Sequence, residues 1–94
     1  MTRFENDDLG YLAWTKAHPY GFVLNVRRIA DPDYVVLHRA ACGSISNDKQ
    51  NPGAFTRRDY RKICALDALK LQLAAKREGR SDGSFSKRCG LCKP

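Results

Sequence analysis

Two short-spaced pairs of metal-ligand residues constrain this chain more than any other feature. His38 and Cys42 form an H-x3-C pair, and Cys89 and Cys92 form a C-x2-C pair in the closing "SKRCGLCKP". The tail of a small domain is normally its least ordered part, so thiols there call for an anchor upstream. Structural zinc takes four nitrogen or sulfur ligands in a tetrahedron. A C-x2-C knuckle aims both sulfurs at one point, and an H-x3-C pair does the same across a turn leaving a strand. The spacing therefore predicts one Zn2+ held by His38, Cys42, Cys89 and Cys92. A single domain spanning residues 1–94, with 43% hydrophobic residues, has a thin core that a metal staple would strengthen.

Other uses of these residues compete. A redox C-x-x-C places its first thiol at a helix N-terminus, and with only Lys93 and Pro94 after Cys92 no such helix is expected. Cys64 is an alternative fourth ligand in place of His38. Its position beside Ile63 in a strand-like run suits a packed thiol better. His18, next to Pro19, reads as a helix-end residue.

The remaining pattern predicts an α+β domain. "ENDDLGYLAWTKAHP" carries capping residues Asn6, Asp7 and Asp8, then Leu9, Leu12, Ala13 and Lys16 at helical spacing, so a helix is expected over 7–17. "GFVLNVR" alternates, "YVVLH" at 34–38 is a second strand, and "RIADPD" between them has turn chemistry, which together indicate an antiparallel hairpin. "GSISNDKQNPGAFTRR", with Pro52-Gly53, reads as a loop. "YRKICA" at 60–65 is a third strand. A helix over 66–78 follows, with Leu66, Leu69 and Leu73 as its apolar stripe, Lys76 and Arg77 in its last turn and Gly79 at C′. "RSDGSFSKR" returns the chain to the zinc knuckle.

"VVLHRAAC", "YRKICALDALKLQLAAKREG" and "RCGLCKP" together resemble the zinc-binding module of Ada-type DNA-repair methyltransferases, over the second half of the chain. In that family a first ligand, three residues and a Cys end a strand; a strand, a helix and C-x-x-C-x-P follow. The resemblance implies the zinc site and a DNA-facing surface. It does not carry over the methyl transfer, because the family's acceptor is a thiolate where this chain has His38. The wider pattern, "HPYGFVLN" and "FTRRDYRKIC" included, is similar to small domains of bacterial restriction and defence proteins.

Charge supports the same direction. The net charge is +7, but residues 1–34 hold four basic and five acidic side chains, leaving +8 for residues 35–94. Such asymmetry points to an anionic partner, nucleic acid first and DNA before RNA, with an acidic protein as the alternative. The candidate contacts are Arg39, Arg57, Arg58, Arg61, Lys62, Lys87 and Arg88, with Phe55 and Tyr60 interleaved. With no apolar run of membrane length and free cysteines, a cytoplasmic setting is expected, with no membrane partner. No catalytic residues are assigned. A nuclease centre needs convergent carboxylates, whereas Asp7-Asp8 and Asp31-Asp33 read as caps and turns, and Asp48-Lys49 is too tightly spaced for an acid-x-Lys element.

Overall fold

The computed structural model describes residues 1–47, 50 and 53–94. Asp48, Lys49 and Pro52, which entered the expectations above, lie outside the described residues. The elements run β1 (Thr2–Phe4), α1 (Asp8–Ala17), β2 (Phe22–Arg27), β3 (Val35–Arg39), β4 (Tyr60–Ala65), α2 (Ala68–Arg77) and β5 (Lys87–Arg88). The α+β class, both helices, the hairpin and the third strand are as expected. Two short edge strands, β1 and β5, complete a five-stranded sheet in the order β1-β4-β2-β3-β5. β1, β4, β2 and β3 are antiparallel neighbours, while β5 runs parallel to β3. No described helix is long and apolar enough to cross a membrane.

Alternation sorts the sheet into two faces. Leu24, Val26, Val35, Leu37, Ile63 and Ala65 share one face and bury it against Leu71, Ala74 and Ala75 of α2. Val23 and Cys64 lie on the other face and pack with Tyr11 of α1, Phe55, Ile45, Cys42 and Cys89. A register of Val23 with His38 and Cys64, Asn25 with Lys62, and Arg27 with Tyr60 lays three rows across this second face. The row containing His38 lies at one end, the Arg27 row at the other.

Local chemistry delimits the helices. The Asp7 carboxylate caps α1 by accepting from the Gly10 N–H at 2.8 Å. Asp8 ties the same helix end to the loop, accepting from the Thr56 N–H at 2.9 Å and the Thr56 hydroxyl at 2.5 Å. Asp67 caps α2 through the Leu69 N–H at 2.8 Å. At the far end, Gly79 has φ +103° and Arg80 N donates to Ala75 O at 3.0 Å, which is the Schellman closure that glycine at C′ permits. The Asp31 carboxylate accepts from the Asp33 N–H at 2.9 Å and shapes the β2–β3 turn. The carboxylates of Asp7, Asp8 and Asp31 thus have structural partners.

The second helix turns a different face inward from the one expected. The proposed stripe of α2 points to solvent: Leu66, Leu69 and Leu73 are 65%, 67% and 56% exposed. Leu71, Ala74 and Ala75 face the sheet instead. Both sets satisfy a 3.6-residue period, and the small alanines allow the helix close to the sheet. In α1, Leu9 is exposed, while Tyr11 and Thr15 are buried. The Tyr11 ring packs against Phe4 and Phe55, and its hydroxyl donates to Ile45 O.

Candidate metal centre

The donor atoms of His38, Cys42, Cys89 and Cys92 all lie within 4.8 Å of one another. Three local devices bring them there. His38 occupies the penultimate position of β3, with its side chain on the second sheet face. Cys42 sits in the turn that follows, where its N–H donates to Arg39 O at 3.0 Å. β5, though two residues long, pairs in parallel with Val36 and Leu37, and Cys89 N then donates to Leu37 O at 2.9 Å. Ser86 secures this pairing: its N–H donates to Val35 O at 2.9 Å, and its hydroxyl accepts from Val35 N at 2.7 Å. Lys93, at φ +49°, closes the knuckle by donating to Cys89 O at 3.0 Å.

Arg39 clamps the tail onto β3. Its backbone N–H donates to Cys92 Sγ at 3.3 Å, its Nε to Cys92 O at 3.0 Å and its Nη2 to Lys93 O at 3.1 Å. Arg88 adds a bond from Nη1 to Pro94 O at 3.0 Å. The Cys42 and Cys89 sulfurs are 4.0 Å apart, and Ser44 Oγ is 3.0 Å from Cys42 Sγ.

The residues present fit a metal ion on two grounds. The donors are nitrogen and sulfur with no carboxylate, as thiophilic cations prefer. His38 Nδ1 is buried with no hydrogen-bond partner among the described residues. A buried ring nitrogen without a partner costs free energy unless something coordinates or bonds it. Burial, reinforced by the charges of Lys62 and Lys87, pulls the His38 pKa down to about 4, so the imidazole is neutral and its lone pair free. The N–H of Cys92 pulls the Cys89 thiol down to about 7, with Leu91 N–H assisting against burial. Burial and the neighbouring thiols push Cys92 up to about 11. A cation would favour the thiolate at each sulfur. Cys64 stands apart from the cluster, 1% exposed, and burial pushes its pKa up to about 12.

The predicted nucleic-acid residues separate into three groups. Arg57 and Arg58 are exposed in the segment leading into β4, and Lys87 is exposed on β5. Arg39 and Arg88 do converge on the tail, where their guanidinium groups hold carbonyls. Arg61 and Lys62 are buried, which corrects the expectation that they face a partner. Arg61 Nη1 donates to Arg58 O at 3.0 Å and Tyr60 O at 2.8 Å. Lys62 lies between the metal row and the Arg27 row, its ammonium 5.5 Å from the Tyr60 ring centroid and 5.9 Å from those of Tyr11 and Phe55.

The structure adds residues that the sequence reading passed over. Arg27 stacks on Tyr34 at 4.9 Å and on Tyr60 at 5.4 Å, and the two tyrosine rings are 5.5 Å apart. Arg28 N donates to Asp59 O at 2.8 Å, which brings the exposed Arg28 to the same end of the sheet. The signal was the pairing of Arg27 with Tyr60, visible only once the β2–β4 register is known.

Fold and site together define a small α+β domain whose C-terminal segment is closed by a candidate metal centre of one histidine and three cysteines. No protein-family model matches the chain, and no curated protein or solved structure matches it.

Proposed function

We propose that His38, Cys42, Cys89 and Cys92 hold a structural zinc ion, and that the domain it fastens binds nucleic acid, DNA before RNA, through phosphate contacts. Zinc suits four nitrogen and sulfur donors, and a site whose four ligands all come from the protein leaves no position for a reacting water. Its contribution is to folding: it joins the tail to β3. The Ada-type resemblance supports the ion and the DNA-facing role, and His38 in place of a thiolate argues against methyl acceptance. A reducing cytoplasm would keep these thiols free for metal.

The observation that carries the nucleic-acid reading is the arginine-rich end of the sheet. Arg27 and Arg28 are exposed there beside the Tyr34–Tyr60 pair, and Arg57 and Arg58 are exposed in the segment that leads into β4. Arginines can neutralise phosphates, and tyrosine rings can stack on unpaired bases. Titration of zinc-loaded protein with duplex and single-stranded oligonucleotides near 150 mM salt tests it. About four phosphate contacts give a log–log salt slope near −3.5 on duplex DNA. Replacing the four arginines with Ser should weaken binding to all sequences alike and flatten that slope. Affinity weaker than about 10⁻⁴ M would end this reading. A second reading, a protein-interaction module for an acidic partner, is favoured by the exposed leucines of α2.

A further inference from the structure

The outer face of α2 is an apolar ridge without a tertiary role. Leu69 and Leu73 lie one turn apart, opposite the buried Leu71, Ala74 and Ala75, and are 67% and 56% exposed. Leu66, before the start of the helix, is also exposed and lines a groove with Pro19 and Tyr20, the latter 94% exposed. Solitary exposed leucines are ordinary on a protein surface; a contiguous row is not. Leu69 and Leu73, at i and i+4 on α2, form a short helical seam, and Leu66 precedes the helix just ahead of its N-cap Asp67.

Charge selects the occupant. Beside this ridge α2 exposes Lys70, Lys76 and Arg77. Its one exposed acid, Asp67, caps the helix N-terminus, and Glu78 is buried and bridged to Arg3 at 2.8 Å. A second copy of the chain would set lysine and arginine against lysine and arginine, within molecules that each carry +7. A helix with leucines at its seam and carboxylates beside them would bury the ridge and pair all three cations.

We propose that Leu66, Leu69 and Leu73, flanked by Lys70, Lys76 and Arg77, dock an acidic amphipathic helix of a partner protein. This rests on the protein-interaction reading and names its surface and partner chemistry. The ridge belongs to the opposite sheet face from the Arg27–Tyr60 row, so occupancy here is independent of phosphate binding there.

The test uses the full zinc-loaded chain and a synthetic heptad-repeat peptide with Leu at a and d and Glu at e and g. The glutamates repel one another and disfavour self-association of the peptide. The companion peptide has Lys in place of Glu. Fluorescence anisotropy should show the Glu peptide binding and the Lys peptide failing to bind. The Leu69→Ser/Leu73→Ser variant should bind the Glu peptide about a hundredfold more weakly, since two leucines lose their burial. Its thermal unfolding should stay close to the parent's, because both leucines are mostly exposed. Equal binding by parent and variant would overturn the assigned surface while leaving an acidic-partner role standing. Failure of the Glu peptide to bind the parent at all would overturn both. Self-association by sedimentation velocity that the double variant abolishes would make a second copy the occupant and overturn the proposal. Anionic vesicle binding that the variant abolishes, without peptide binding, would overturn it in favour of a lipid surface.

Discussion

Lys62→Met isolates the energetics of a cation buried in the middle row of the sheet. The side chain is 2% exposed, and its ammonium donates to Asn25 Oδ1 and Phe55 O, both at 2.8 Å. Burial, only partly offset by attraction to Asp8, pulls its pKa from 10.5 down to about 8. That displacement means the fold disfavours the ammonium by about 3 kcal/mol relative to the neutral amine. Between pH 8 and 10.5 the unfolded chain holds a proton that the native chain has released. The contribution of Lys62 to stability therefore rises with pH across this window and is lowest, and level, below it. Methionine fills a similar volume and carries no proton. It leaves two buried acceptors without their donor, a loss of about 2–3 kcal/mol together. At pH 7 the two effects nearly offset, so Lys62→Met should lie within about 1 kcal/mol of the parent. At pH 10 most of the parent's penalty has gone, and the variant should be the less stable by about 2 kcal/mol. Urea unfolding followed by the fluorescence of the single tryptophan, Trp14, measures both values. The other titrating groups are shared, so the parent–variant difference reports Lys62 together with the smaller effect of its charge on His38 and Cys64. A difference that stays constant from pH 7 to pH 10 would refute the reasoning, as would a loss above about 3 kcal/mol at pH 7.

Elemental analysis of protein purified without added metal should find about one zinc per chain in the parent and in Cys64→Ser, and little in His38→Ala or Cys89→Ser. Retention by His38→Ala with loss in Cys64→Ser would make Cys64 the ligand. Acidification should release the ion as protons compete for its thiolate ligands, with a loss of helical circular dichroism that zinc restores on return to neutral pH. Arg39→Ala should weaken zinc affinity about 10–100-fold in a chelator competition, because the side chain holds the carbonyls of Cys92 and Lys93. Leu71→Ala should cost about 2–4 kcal/mol in urea unfolding, whereas Leu69→Ala should change stability by less than about 0.5 kcal/mol; the reverse ranking would restore the leucine stripe to the core.

Much of this molecule was legible in one dimension because its signals are local. Asp7 and Asp67 cap helices within three residues of themselves, Gly79 meets a φ requirement at its own position, and the β2–β3 turn is shaped by Asp31 within two residues. The candidate metal cluster was legible too, since H-x3-C and C-x2-C each fit a short turn. Tertiary structure decided what depends on partners distant in sequence. The 66–78 segment carries two apolar arcs, and only docking against Leu24, Leu37 and Ile63 selects Leu71 and the alanines over the leucines. Arg61 and Lys62 look like surface charge, yet β4 is an inner strand of a sheet packed against α2 on one face and Tyr11 and Phe55 on the other, so its cations find carbonyls and rings inside. β5 is too short to declare itself by alternation, and it exists because Val35 and Leu37 offer an edge to pair with. That pairing brings Cys89 beside His38, a proximity that chain entropy opposes and that sequence spacing alone could not supply.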